Sequence, residues 1–267
     1  MSVVQALVLG IIQGLTEFLP ISSSGHLVLT PWVFGWGDSG LSFDVSLHLG
    51  TLIAVVWYFN QQWKMLFAAA VNIVRKRRVE TPEERRVVFL VLATIPGALG
   101  GLLLEDLAET TFRSSALIAT NLIVFGLLLW LADRVATRER EMDVMRHRDA
   151  LLIGLAQVLA LMPGVSRSGS TITAGRALGL TREAAAVFSF LMIAPITLGA
   201  TIMKVPQAVR EADDMLPLIV GVAAAAVSGW LAIAVLLRFV ARRSYGIFAA
   251  YRLVLGLVIF AMMYFRG

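Results

Sequence analysis

Gln13-Gly14-Leu15-Thr16-Glu17-Phe18-Leu19-Pro20-Ile21-Ser22-Ser23-Ser24-Gly25-His26 is a polar interruption in an oily chain. A second stretch, Gln157 followed by Pro163-Gly164-Val165-Ser166-Arg167-Ser168-Gly169-Ser170-Thr171, looks like its copy. Hydroxyls, a carboxylate, a histidine, an arginine and glycines are tolerated between apolar runs where they line a protected cavity. The two interruptions therefore mark the expected working site, and what surrounds them decides the fold.

The surroundings are those of a membrane protein. Hydrophobic residues make up 58% of 267 and charged residues 15%, with a mean hydropathy of +0.80, against roughly 45–50% apolar residues in soluble domains. A span takes about 20 mostly apolar residues, so the length holds six to eight passes and leaves no soluble domain to place. The net charge of +5 sits in short connections, so it reports topology and not nucleic-acid binding. Cysteine is absent, which excludes disulfides, thiolate catalysis and Cys-ligated metal. No Lys or Arg precedes Lys64 and Glu17 interrupts the first apolar run, so the N-terminus is expected to belong to the mature fold and not to a signal peptide.

Apolar helical segments fall at about residues 3–19, 43–74, 87–104, 116–132, 150–162, 184–204, 216–237 and 247–265. The first and fifth end in the polar motifs and are followed by short amphiphilic stretches, Leu27 to Trp36 and Ile172 to Leu180, so each reads as a re-entrant hairpin. The other six are expected to span. Cations crowd three connections: Arg75 to Arg78 with Arg85 and Arg86; Arg134, Arg138, Arg140, Arg146 and Arg148; and Arg238, Arg242 and Arg243. These should be cytoplasmic, while the connections with Glu105, Asp106 and Glu109, or with Glu211, Asp213 and Asp214, should lie outside.

The expected fold is an all-α integral membrane protein of about six transmembrane helices plus two re-entrant hairpins in an inverted-topology repeat. It forms one membrane domain over 1–267, with repeat 1 at about 1–132, a cytoplasmic linker at about 133–149 and repeat 2 at about 150–267. Gly10-Ile-Ile-Gln13 matches Gly154-Leu-Ala-Gln157, and Pro20 to Gly25 matches Pro163 to Gly169 with one residue inserted. Inverted repeats of this kind bring their motif loops face to face near the bilayer midplane.

Read as chemistry, the loops describe an oxyanion site. Ser22, Ser23, Ser24, Ser166, Ser168, Ser170 and Thr171 supply hydroxyls; Gly25 and Gly169 let backbone amides approach a ligand; Arg167 offers a planar fork for phosphate oxygens. Helices resuming just after the loops would add their positive N-terminal ends. Glu17 and His26 extend the site from binding toward catalysis, because a carboxylate and an imidazole can act as base, acid or nucleophile.

The two motifs together resemble those of the bacterial undecaprenyl-diphosphatases, the bacitracin-resistance type of lipid pyrophosphate phosphatase, along the whole chain. The resemblance implies hydrolysis of a C55 polyprenyl diphosphate to the monophosphate carrier and inorganic phosphate, at the outer face of the bacterial inner membrane, with a divalent cation, Mg²⁺ or Ca²⁺. It points to Glu17, Ser23, His26 and Arg167 as catalytic. Gln13, Ser22, Gly25, Ser166, Ser168, Gly169 and Thr171 make the substrate site, and Glu17 is the metal ligand. The family's Glu/Gln-x-x-x-Glu pattern begins here with Gln13, whose amide supplies no second anionic ligand. Ser23, His26 or water is left open as the attacking group, and a homodimer as the assembly. The rival function is a transporter or flippase for a phosphorylated lipid, which shares the architecture but has no need of a Glu, Ser and His around the anion site.

Simpler roles compete at single residues. Glu17 could serve as a structural partner of Arg167, and Ser24 and Ser170 as partners for broken-helix backbone. His48 reads as a packing histidine, Asp44 as a cap, His147 as part of a solvated linker. Gly97, Gly100 and Gly101 suit close helix packing.

Overall fold

Burial of an apolar chain without water to satisfy its backbone leaves helices as the available structure, and helices are what form. The computed structural model describes residues 1–37, 40–104, 114–136, 139–211 and 214–266; Glu105, Asp106, Glu109, Arg138 and Asp213 lie outside them. Eleven α-helices occur among the described residues: α1 Val3–Phe18, α2 Ser23–Phe34, α3 Leu41–Tyr58, α4 Asn60–Lys76, α5 Pro82–Leu103, α6 Ser115–Val135, α7 His147–Val158, α8 Arg167–Ala177, α9 Arg182–Glu211, α10 Met215–Val240 and α11 Gly246–Arg266.

Local chemistry sets several boundaries. Ser2 and Gln5 close a capping box at the start of α1, Thr81 and Glu84 do the same for α5 with Pro82 in its first turn, and Gly35 ends α2 in the left-handed conformation. Five helices, α5, α6, α9, α10 and α11, are long and apolar enough to cross a membrane. The single span expected at 43–74 is instead two helices, α3 and α4, meeting at Phe59 with an 85° bend; counted together they bring the crossings to six. The reason is visible in α4, where Asn60, Gln61, Gln62, Lys64 and Asn72 punctuate the apolar residues. That mixture suits a helix lying along an interface better than one passing through hydrocarbon.

Small residues let the helices approach. A Cβ added to Gly10 of α1 would strike the backbone oxygen of Gly221 in α10, and one added to Gly154 of α7 would strike that of Ala93 in α5. The two glycines that align in sequence thus mark the same kind of backbone contact in two helix pairs, α1 with α10 and α7 with α5. Gly97 and Gly100 are packed as expected, whereas a Cβ on Gly101 would meet nothing within 4 Å. α9 runs through the largest apolar cluster, where Phe190 meets Phe18 edge to face at 5.2 Å.

The linker expected at 133–149 is shorter and more structured than its charge suggests. α6 continues to Val135, Arg140 makes an isolated backbone bridge with Leu180, and its guanidinium holds Asp149 at 2.7 Å. Asp133, buried at the end of α6, accepts from Arg176 Nε (2.9 Å), Arg182 Nε (2.8 Å) and the Tyr245 amide (3.0 Å), which ties α8, α9 and α11 together at one end of the bundle.

Candidate active site

The two polar motifs meet where α2 and α8 begin. Each helix is capped by a serine with positive φ, Ser22 at 75° and Ser166 at 74°, whose hydroxyl accepts the amide proton of the glycine three residues on, at 3.3 and 3.0 Å. A non-glycine residue in this region costs on the order of 1–3 kcal/mol and survives where its surroundings hold it there. Here each loop helps to hold the other. The Gly164 amide donates to Ser22 Oγ at 3.0 Å, and Ser168 Oγ donates to the Leu19 carbonyl at 3.2 Å.

Arg252 completes the joint. It rises from α11 with no exposed surface and donates to the carbonyls of Pro20 (3.3 Å) in one loop and Gly164 (2.8 Å) and Val165 (2.9 Å) in the other, as well as to Asn121 and Leu122 of α6. Asn121 Nδ2 donates to the Pro163 carbonyl at 2.9 Å. Sequence reasoning passed over both residues, although an ionisable side chain inside the apolar run 247–265 is itself a signal.

Glu17, in the last turn of α1 and 3% exposed, is the centre of the site. Ser23 Oγ donates to its Oε2 at 2.5 Å and Gln13 Nε2 to the same oxygen at 3.1 Å. His48 Nε2 lies 3.5 Å from Oε2, and Arg167 Nη2 lies 3.7 Å from Oε1. Arg167 is steadied by Thr197, whose Oγ1 accepts from Nη1 at 3.0 Å. The structure therefore brings Gln13, Glu17, Ser23 and Arg167 together, and adds His48, which the sequence reading treated as a packing residue.

His26 is placed differently. Its Nδ1 is 2.7 Å from the Ser22 carbonyl, which can only accept, so Nδ1 donates; Nε2 faces the Tyr251 hydroxyl at 2.7 Å. The ring stacks on that of Tyr251 with 10° between planes. Among the described residues no hydrogen bond or ion pair joins His26 to Ser23 or Glu17. The remaining motif residues face the scaffold: Ser22 and Ser166 are caps, the Gly25 and Gly169 amides are taken by them, Ser168 contacts Ser166 Oγ at 3.2 Å, and Thr171 Oγ1 meets Ser189 Oγ at 2.7 Å.

This arrangement can do specific chemistry. A hydroxyl hydrogen-bonded to a buried carboxylate is positioned to lose its proton, an arginine stands beside the carboxylate, and the two helices begin at these residues with their positive N-terminal ends. The fold and site define a polytopic membrane protein with a buried carboxylate that meets a hydroxyl, an amide, an imidazole and a guanidinium. The chain matches the family described as bacitracin resistance protein BacA over residues 6–258. It is 62% identical over 263 residues to the undecaprenyl-diphosphatase of Gemmatimonas aurantiaca, covering 98% of both chains. It is 51% identical over 262 residues to that of Pelotomaculum thermopropionicum, covering 98% of this chain and 97% of the relative. With that of Moorella thermoacetica the identity is 49% over 266 residues and the whole of both chains. The chain belongs to the bacitracin resistance protein family.

Proposed function

We infer that the protein is an undecaprenyl-diphosphate phosphatase, converting the lipid diphosphate to undecaprenyl phosphate and inorganic phosphate. The observation that carries this is the Ser23–Glu17 hydrogen bond, 2.5 Å long, beside Arg167. Arg167 and the N-terminal ends of α2 and α8 hold the diphosphate oxygens, which is the main electrostatic demand of phosphoryl transfer. Ser23 Oγ attacks the terminal phosphorus while its proton passes to Glu17 Oε2. The bond from that phosphorus to the bridging oxygen breaks, and the prenyl monophosphate leaves. Glu17, having passed that proton to the departing monophosphate, takes one from water, whose oxygen displaces Ser23 from phosphorus; Glu17 returns the proton to Ser23 Oγ as inorganic phosphate is released. His26, engaged by Ser22 and Tyr251, orients the loop.

The donor set fits a divalent cation shared with the substrate. Gln13 Oε1 and Glu17 Oε1 are buried without hydrogen-bond partners, while among the described residues no three His, Asp or Glu groups cluster. Those two oxygens would hold Mg²⁺ or Ca²⁺, completed by phosphate oxygens, and the cation would supply further charge neutralisation.

The membrane is the bacterial cytoplasmic membrane and the site opens to its outer side. The cationic connections α4–α5, α6–α7 and α10–α11 support a common cytoplasmic face. The halves at about 1–132 and 150–267 are an inverted repeat, a reading supported by the paired caps Ser22 and Ser166 and the paired glycines Gly10 and Gly154.

The test is phosphate release from undecaprenyl diphosphate by the purified chain in detergent. Ser23→Ala and Glu17→Gln should each lower kcat by about 10³-fold, and quenched reactions should carry phosphate on Ser23 by mass spectrometry. Full turnover by Ser23→Ala would transfer the attack to water.

A further inference from the structure

Gln157 is the repeat counterpart of Gln13, yet its amide is treated differently. Gln13 Nε2 donates to Glu17, four residues further on. The residue four after Gln157 is Leu161, so the second amide has no carboxylate to meet. It is 3% exposed and neither its Oε1 nor its Nε2 has a hydrogen-bond partner. Native proteins seldom leave both ends of a buried amide unpaired, because each end gives up its water without replacement. The amide is also given room, since a Cβ on Gly97 would collide with Nε2.

The space in front of it is a groove of about 420 Å³ between α5, the end of α7 and α9. Arg167 lines it along with Gln157; most of the rest is apolar, including Leu161 and Ile196. Leu102 and Met203 on its lining are 62% and 55% exposed, so it is open at the side of the bundle. A second apolar groove of about 400 Å³ shares Thr94, Ala98 and Pro195 with it and continues toward Trp63 of α4. A cationic fork, an unpaired amide and an apolar lane are the groups that a prenyl diphosphate calls for, from its terminal phosphate to its tail.

We propose that this groove seats the phosphate–prenyl junction of the lipid substrate, with the Gln157 amide donating to the phosphate that stays on the lipid and the first isoprene units lying between α5 and α9. The inference rests on the reading of the site as one for a prenyl diphosphate, and it assigns Gln157 to substrate positioning. The amide is neutral, which suits a group that holds the departing monophosphate without trapping it.

Gly101 and Gly199 line the groove, and a Cβ on either meets nothing within 4 Å, so larger residues there fill the lane while sparing the fold. The experiment uses the full chain in detergent. It measures Kd for a nonhydrolysable farnesyl methylenediphosphonate by calorimetry, with phosphate release from farnesyl diphosphate measured in parallel. Gly101→Leu, Gly199→Leu and Gln157→Leu should each raise Kd and KM by about tenfold or more, with kcat within about threefold and the unfolding midpoint unchanged. Tail-free methylenediphosphonate, run as a competitor, should be weakened by Gln157→Leu and unaffected by the glycine variants. An unchanged Kd in both glycine variants would place the tail elsewhere. A Gln157→Leu protein with a lowered midpoint and unaltered Kd would make the amide structural. Tight binding without phosphate release by the parent chain would overturn the phosphatase reading while leaving the groove assignment standing.

Discussion

The two re-entrant hairpins, α1–α2 and α7–α8, share a plan and differ in what they carry. Both enter along a helix whose glycine touches another backbone, both turn at a positive-φ serine, and both resume as a helix whose cap accepts a glycine amide. The first residue after the cap is Ser23 in one and Arg167 in the other. The residue four beyond the glutamine is Glu17 in one and Leu161 in the other. The same two positions thus supply a hydroxyl and a carboxylate in the first copy, a guanidinium and an apolar side chain in the second. The far ends differ as well. α8 is fastened through Arg176 to Asp133, whereas α2 is held by apolar contacts of the buried Leu27 and Leu29 and ends at Gly35, beside Phe34, which is 65% exposed. One hairpin is fastened to the bundle by buried charge, the other by apolar packing and by the loop at its tip.

That tip depends on Arg252, which serves both loops, so removing it should erase the difference between them. Arg252→Met leaves carbonyls of Pro20, Gly164 and Val165 without their donor and should cost about 3–5 kcal/mol. Unfolding in mixed micelles measures the loss, and hydrogen exchange should rise in both hairpins together. Protection lost from one hairpin alone would show that the arginine is not shared.

Asp133→Asn should act on one hairpin only. It removes the charge facing Arg176 and Arg182 and should destabilise by about 3 kcal/mol. Exchange should increase over residues 167–182 and stay unchanged over residues 3–34. Equal loosening of α1 and α2 would mean that the hairpins unfold as one unit.

Much of this was legible in the sequence and some was not, for physical reasons. Composition and run length disclose a polytopic helical protein, and two Gly/Ser-rich interruptions disclose the loops that meet, because polar groups inside apolar runs need an explanation. Glu17, Ser23 and Arg167 could be named since each lies within a motif. The bend at Phe59 was missed: a hydropathy run does not separate a spanning helix from an amphipathic one that follows it. His48, Asn121 and Arg252 were missed as site builders because their partners are distant in sequence, with Arg252 reaching Pro20 across 232 residues. His26 lies in the same motif as Glu17 and Ser23, yet its ring turns toward Tyr251, an orientation that spacing alone does not specify.

The finest difference between the hairpins lies in the two cap serines. Ser166 Oγ accepts the amide of its own glycine, while Ser22 Oγ accepts both its own and that of Gly164 from the other loop. Alanine at either position removes a cap, worth about 1 kcal/mol, and keeps an unfavourable positive φ. Glycine is the sharper probe, because it adopts that φ freely and replaces a capping serine at a cost of only about a few tenths of a kcal/mol. Ser166→Gly should therefore be close to neutral. Ser22→Gly also strands the buried Gly164 amide, so it should remain destabilising by about 1 kcal/mol, read as a difference in unfolding free energy between the two glycine variants. Equal values for the pair would mean that the Gly164 contact contributes nothing and that the loops are joined by Arg252 and Ser168 alone.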